Sequence, residues 1–343
     1  MHVKYGKISG MKVAIYGAGA MGTVLGAYIT RAGKQIDLIT HNIPHVTALK
    51  SGGAHIIGTV DFTVPVTALT PEEMKGEYDL IFLMTKQRNN RGICEFLKKR
   101  LANDGAICTM QNGLPEPSVA SIVGGERTLG CAVSWGATFK GDGCAELTSL
   151  PDRLTFSLGG YLEKCNRLAD AKEYLSCMGE VAVEKNFLGA RWSKLAINSA
   201  FSSLSAITGF TFGQVSSDKN VAPVALAMLN EAYTVASACG VQLEKVQGHN
   251  IVGTYKCSGG LKKLIALKLL PQAMKHHKNL VSGMYFDLNA GRKSDIDFIN
   301  GVIVHSAKNF GVSAPLNSKV LEIAHRIESG ELTVSPSNLE FLK

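Results

Sequence analysis

No two of the eight cysteines lie closer in sequence than Cys165 and Cys177, so the chain has no CxxC pair to hold zinc or run dithiol chemistry. No metal site is expected, and unpaired thiols fit the cytoplasm. The opening Met-His-Val-Lys-Tyr-Gly-Lys lacks the apolar centre of a secretory signal, and no run approaches the roughly 20 apolar residues of a membrane span. Blocks of five or six basic residues are also missing, and aromatics are only 7% of the chain. The formal charge of +8 is therefore too diffuse for nucleic-acid recognition and favours anionic ligands. Apolar residues reach 45% against 19% charged, the balance of a packed chain and not of a disordered one. At about 150 residues per domain, 343 residues imply two domains, each able to bury a core.

What is present begins with Lys12-Val13-Ala14-Ile15-Tyr16, a β-branched apolar run typical of a buried parallel strand. Met21, Val24, Leu25, Tyr28 and Ile29 then recur at helical spacing, and Gly33 stands where a helix would be capped. Ile36 to Thr40 reads as a second strand, completing a βαβ unit. Tyr78 to Met84 and Gly105 to Met110 are further strands, with Asn89 to Leu101 a helix between them. Thr128 to Trp135, Ala145 to Thr148, Arg153 to Leu158 and Val181 to Glu184 read as short strands on the far flank of the same doubly wound sheet. Past Leu188 the texture is helical: Gly189 to Thr208, Val221 to Gly240, Leu261 to His276, Ser294 to Phe310 and Asn317 to Glu328. The expected division is 1–188 for a dinucleotide-binding α/β domain and 189–343 for a helical substrate domain.

Gly17, Ala18, Gly19, Ala20, Met21 and Gly22 form GxGxxG between a strand and a helix. The first glycine permits the tight turn, the second lets backbone approach a pyrophosphate, and the third packs helix on strand. An NAD enzyme usually carries an acid at the carboxyl end of the second strand. Asp37 opens that strand instead, and the residues at its end, Thr40, His41 and Asn42, carry no negative charge, which favours the 2′-phosphate of NADPH. Lys86 and Asn112 leave two later strands at the same edge, either as anion and ribose contacts or as a solvated lysine and a plain Asn-Gly turn. Lys194, Asn198 and Ser202 recur one turn apart among apolar neighbours, a polar stripe that must meet solvent or line a pocket. There Lys194 is either a proton donor to a developing alkoxide or an exposed lysine. Asp295 and Asp297 open a later helix after Ser294, where helix capping alone explains acids.

Together these segments resemble the ketopantoate reductase (2-dehydropantoate 2-reductase) family over nearly the whole length from Met11. The resemblance rests on Gly17–Gly22, Lys86, Gln111-Asn112-Gly113, Trp192-Ser-Lys194-Leu-Ala-Ile-Asn198, Asp295-Ile-Asp297-Phe-Ile-Asn300-Gly301, and Asn309 to Asn317. It implies a Rossmann-type domain, then an all-helical one, with NADPH delivering hydride to a 2-oxo acid. By position, Lys194 would be the general acid, Asn112 and Lys86 would arrange nicotinamide ribose and substrate, and Asn198 would bind substrate. Asp295 stands where such reductases carry a Glu. Ser202 replaces a second asparagine, Phe212 falls where an asparagine occurs, Gly283 takes a substrate-contacting serine position, and His41 stands where a 2′-phosphate-binding Arg is often found. Ketopantoate is the expected substrate and a homodimer the expected assembly. A paralogue for another 2-oxo acid or imine, or a non-catalytic NADP(H)-binding redox sensor, is the alternative.

Overall fold

The computed structural model describes residues 10–246, 250–257 and 259–342. The opening Met-His-Val-Lys-Tyr-Gly-Lys lies outside the described residues. Two compact units divide the chain: Met1–Gln111 with Pro115–Phe187, and Asn112–Leu114 with Leu188–Lys343.

In the first unit the strands are β1 (Val13–Tyr16), β2 (Asp37–Ile39), β3 (Ala54–Gly58), β4 (Phe62–Val64), β5 (Thr67–Leu69), β6 (Tyr78–Leu83), β7 (Leu101–Thr109), β8 (Thr128–Val133), β9 (Ala137–Gly141), β10 (Cys144–Leu147), β11 (Thr155–Gly160) and β12 (Glu180–Val183). The helices are α1 (Ala20–Arg31), α2 (Ile43–Gly52), α3 (Asn90–Lys98), α4 (Glu116–Val123) and α5 (Leu168–Leu175). An eight-stranded sheet runs β12-β11-β8-β7-β6-β1-β2-β5. Every pairing in it is parallel except β8 with β11. Its central strands are apolar on both faces because helices cover both, so Val13 to Tyr16 and Leu80 to Leu83 are all buried.

The Rossmann-type architecture is as expected, with one correction. Ala145 to Thr148 does not extend the flank of the main sheet. As β10 it joins a separate four-stranded sheet, β4-β3-β10-β9, pairing parallel with β3 and antiparallel with β9. Pairing partners are non-local, and nothing in a four-residue strand specifies which sheet it enters.

The second unit is helical: α6 (Phe187–Ile197), α7 (Ser203–Thr208), α8 (Phe212–Ser217), α9 (Ala222–Ala238), α10 (Ile251–Tyr255), α11 (Gly260–Ala273), α12 (Gly283–Asn289), α13 (Asn300–Asn309) and α14 (Pro315–Glu328). Its apolar core gathers Trp192, Phe201, Leu226, Ile303, Val320 and their neighbours. Two expected helices are interrupted. The run Gly189 to Thr208 opens into a π turn over Asn198–Ser202 between α6 and α7. The run Ser294 to Phe310 begins as a single 3-10 turn, Ile296–Phe298, and breaks at Ile299 (φ −118°, ψ −83°) before α13. No helix among the described residues is long and apolar enough to cross a membrane.

Candidate functional site

In the first unit, parallel pairing lines up the carboxyl ends of β7, β6, β1, β2 and β5, and the polar residues gather there. Ile39 of β2 accepts from the backbone N–H groups of both Gly17 and Ala18, at 2.9 Å each, which turns the glycine loop across the sheet edge. Gly17 has φ +107°, and a Cβ on it would stand 2.6 Å from the Thr85 nitrogen. A Cβ on Gly22 would meet the Gly17 carbonyl oxygen at 2.6 Å and Ile15 Cγ2 at 3.0 Å. At Gly19 there is nothing within 4 Å of that position. The outer two glycines therefore serve close packing, while the middle one faces open space beside the start of α1. No side chain caps that helix, so its first N–H groups remain for an anion. These three environments are what a dinucleotide pyrophosphate requires, and the chain fits that group.

Around the loop, Asp37 lies at the opposite edge of the sheet and accepts the Tyr78 hydroxyl at 2.7 Å. Burial, and then that bond to Asp37, push the Tyr78 phenol well above its ordinary range. At the carboxyl edge of the sheet, Thr40 Oγ1 accepts from the Asn42 N–H at 3.3 Å. Asn42 Oδ1 caps α2 by accepting from the His45 N–H at 3.2 Å. The exposed His41 stands 3.2 Å from the Tyr16 hydroxyl through Nε2. Lys86 leaves β6 exposed, just before a 3-10 turn. Gln111 ties that exit to the next: its amide nitrogen donates to Thr85 O (2.8 Å) and Asn90 Oδ1 (2.7 Å), and its oxygen accepts from Thr109 Oγ1 (2.9 Å).

The second unit holds Asn112, Lys194, Asn198, Ser202, Gly283 and Asp295. Asn112 is exposed and precedes Gly113 with φ +82°. From Ala190 to Thr208 the chain is buried except at Lys194, Ile197, Asn198 and Ser202, each of them half-buried. The polar stripe is thus the only partly open face of that run, and Ser202 Oγ reaches Asn198 Oδ1 at 3.5 Å. The stripe crosses the π turn, which no residue pattern announced; a density of serines inside a helix is its one sequence signal. Ser199 and Ser203 hydroxyls bond back to the carbonyls of Ala196 and Ser199.

Support for the π turn comes from residues whose position the motifs contain but whose role sequence reasoning missed. The amide of the fully buried Asn300 donates to Ser199 O (3.0 Å), Ser203 Oγ (3.3 Å) and Asn317 Oδ1 (3.0 Å). Asn317 is held in turn by Glu231, which accepts from its side chain (2.7 Å) and from the backbone N–H groups of Leu316 and Asn317.

Gly283 starts α12 and would have open space around a Cβ. The preceding Ser282 donates its N–H to Ser205 Oγ of α7 at 3.0 Å. Ser294, expected as the cap, lies one residue before the turn's N-cap Asp295; its hydroxyl accepts from the Ile296 N–H (3.3 Å) while donating to Glu328. Asp295 is half-buried at the start of that turn, and Asp297 points elsewhere, 2.8 Å from His325 Nε2.

Family models described as "Ketopantoate reductase PanE/ApbA" and "Ketopantoate reductase PanE/ApbA C terminal" match residues 13–160 and 186–328. The chain is similar to the 2-dehydropantoate 2-reductase of Pyrococcus horikoshii, at 26% identity over 310 residues covering 90% of this chain and 94% of the relative. It is also similar to that of Streptococcus pyogenes serotype M3, at 24% over 321 residues covering 93% and 98%. A PanE/ApbA family ketopantoate reductase from Ralstonia eutropha superposes with a TM-score of 0.78 at 25% identity, covering 94% of this chain and 99% of that one. D-mandelate dehydrogenase with NADH and anilino(oxo)acetate reaches 0.78 at 21% identity, covering 93% and 99%.

Proposed function

Because the chain belongs to the ketopantoate reductase family, we propose that it reduces 2-dehydropantoate to pantoate, a CH–OH oxidoreductase step on the route to pantothenate and coenzyme A. When bound, the nicotinamide coenzyme supplies the hydride to the carbonyl carbon. The absence of an acid among Thr40, His41 and Asn42, the residues that leave β2, favours NADPH as that coenzyme.

Lys194 donates an ammonium proton to the carbonyl oxygen as negative charge develops there, and its half-open face lets solvent reload it. Asn198 and Ser202, on the same face, hold polar groups of the substrate, with Gly283 leaving room beside α7. Asp295 supplies the negative charge that orients the ammonium. Asn112 orients ribose and substrate, and Lys86 attracts the carboxylate. The observation that carries the reading is the restriction of open surface on an otherwise buried helical run to Lys194, Ile197, Asn198 and Ser202.

A homodimer belongs to the same reading. It is supported by Leu261 (73% exposed), Leu264 (65%), Ile265 (50%) and Leu269 (41%), which make an outward apolar stripe on α11. A relative from Staphylococcus aureus is described as a dimeric ketopantoate reductase. A cytoplasmic setting is supported by the thiol state of the cysteines. The test is coenzyme oxidation with 2-dehydropantoate against a panel of 2-oxo acids and imines, using NADPH and NADH. Faster turnover of another compound would replace the substrate. Coenzyme binding with no turnover at all would favour the sensor.

A further inference from the structure

The exit of β2 carries no acid of its own, but the tertiary fold brings one from the neighbouring strand. β5 pairs parallel with β2, Ile39 opposite Leu69, and the Thr40 N–H donates to Leu69 O at 3.1 Å, so the chain leaving β5 runs beside Thr40 and His41. It turns at once through the 3-10 turn Pro71–Glu73. Of the two acids there, Glu73 is the one tied to a cation: it accepts from the Thr70 N–H (2.8 Å) and from Lys50 (2.8 and 2.9 Å). Glu72 is exposed at the same edge. Its own backbone N–H and the Thr70 hydroxyl, and further the nearby His41, hold its carboxyl below the ordinary range, while burial and then the Glu72 charge raise the Tyr16 phenol, which meets His41 at 3.2 Å. Glu72, His41 and Tyr16 thus share one corner of the sheet edge, beside the loop that receives the coenzyme's phosphates.

An acid at this corner is where a dinucleotide fold reads the adenosine ribose: a carboxylate accepts from a 2′-hydroxyl and repels a 2′-phosphate. We propose that Glu72, delivered by β5 in place of a residue on β2, is the residue that sets coenzyme selectivity in this chain, narrowing its NADPH preference and admitting NADH. The inference rests on the coenzyme reading above. It accounts for an exit that looks permissive to a 2′-phosphate in sequence and is not neutral in three dimensions.

The test measures binding by calorimetry, with 2′,5′-ADP and 5′-AMP as probes that differ only in the 2′-phosphate, on the full chain and on Glu72→Gln. Glu72→Gln should raise affinity for 2′,5′-ADP relative to 5′-AMP by about fivefold to tenfold, the size expected for a phosphate freed from a nearby exposed carboxylate. Glu72→Lys should raise it further, and the NADPH/NADH ratio of dissociation constants should move in the same direction. A ratio unchanged within about twofold in both variants, with the thermal melt also unchanged, overturns the role of Glu72 and leaves the coenzyme reading standing. Failure of the unmodified chain to bind either probe, NADPH or NADH overturns both.

Discussion

Lys194 illustrates what a single position can and cannot say. Its residue type and spacing predict a stripe with Asn198 and Ser202, and solvated lysine was an equal reading, since most helix lysines are exposed. In the structure Lys194 is half-buried while Ser193 and Leu195 on either side of it are buried, which supports the donor reading. An ammonium held on a narrow opening has a defined direction, which a mobile surface lysine lacks. Lys194→Ala is expected to lower kcat by about 10²- to 10⁴-fold while leaving the NADPH dissociation constant within about twofold, since proton donation is lost and the glycine loop is untouched. Steady-state kinetics with fluorescence titration of the coenzyme decide it. A kcat near that of the unmodified chain removes Lys194 as the donor.

At the scale of elements, the π turn between α6 and α7 is the feature that sets the stripe. Widening one turn leaves backbone carbonyls without their helical partners, and a buried carbonyl must find another donor. Asn300 supplies it to Ser199 O, and Asn317 and Glu231 hold Asn300 in place. Asn300→Ala should therefore cost about 1–3 kcal/mol of stability by taking the donor from the buried Asn317 Oδ1 and leaving Ser199 O with the Ser203 hydroxyl alone, seen as a lower denaturation midpoint. It should also raise KM more than it lowers kcat, since Asn198 and Ser202 ride on the turn while Lys194 precedes it. Loss of stability with unchanged KM would leave Asn300 a structural residue only.

A second element-level link is His45 of α2, buried between α1 and the small sheet. It accepts the Gly143 N–H at Nδ1 (2.9 Å) and meets Thr23 Oγ1 at 3.0 Å through Nε2. Burial lowers its pKa, so the unfolded chain binds a proton that the folded one resists. The stability it contributes is whole above about pH 6.5, the unfolded value, and drains as pH falls below that toward the lower folded value. Melting temperatures should be level above about pH 7 and fall from about pH 6.5 downward, with a shallower fall in His45→Gln. Equal slopes in the two proteins would assign the acid sensitivity elsewhere, for example to His277, whose pKa burial also lowers.

For the molecule as a whole, the outward face of α11 is the main surface still to be covered. Leu261, Leu264, Ile265 and Leu269 line the side of the helix opposite the buried Ala266 and Leu270. A helix apolar on both sides is rarely left to water. Light scattering should give twice the chain mass for the unmodified protein and the chain mass for Leu264→Glu/Ile265→Glu. Because Lys262 and Lys268 flank the stripe in each copy, added salt should strengthen the dimer by screening their repulsion. A monomer at all salt concentrations would end the dimer reading.

Patterns that act over a few residues were readable before any folding. The strand-glycine-helix unit at Val13 to Arg31, the buried central strands and the long helices of the second half all follow from backbone sterics and side-chain period, which are local. So do Lys194, Asn198 and the loop glycines as candidates. Contacts between distant segments were not readable: β10 entering a second sheet, Asn300 meeting Ser199, and Glu72 arriving beside His41 from another strand. Each depends on pairing partners chosen by burial of the whole unit, and a carboxylate's role is decided by which charges and hydroxyls that packing sets next to it.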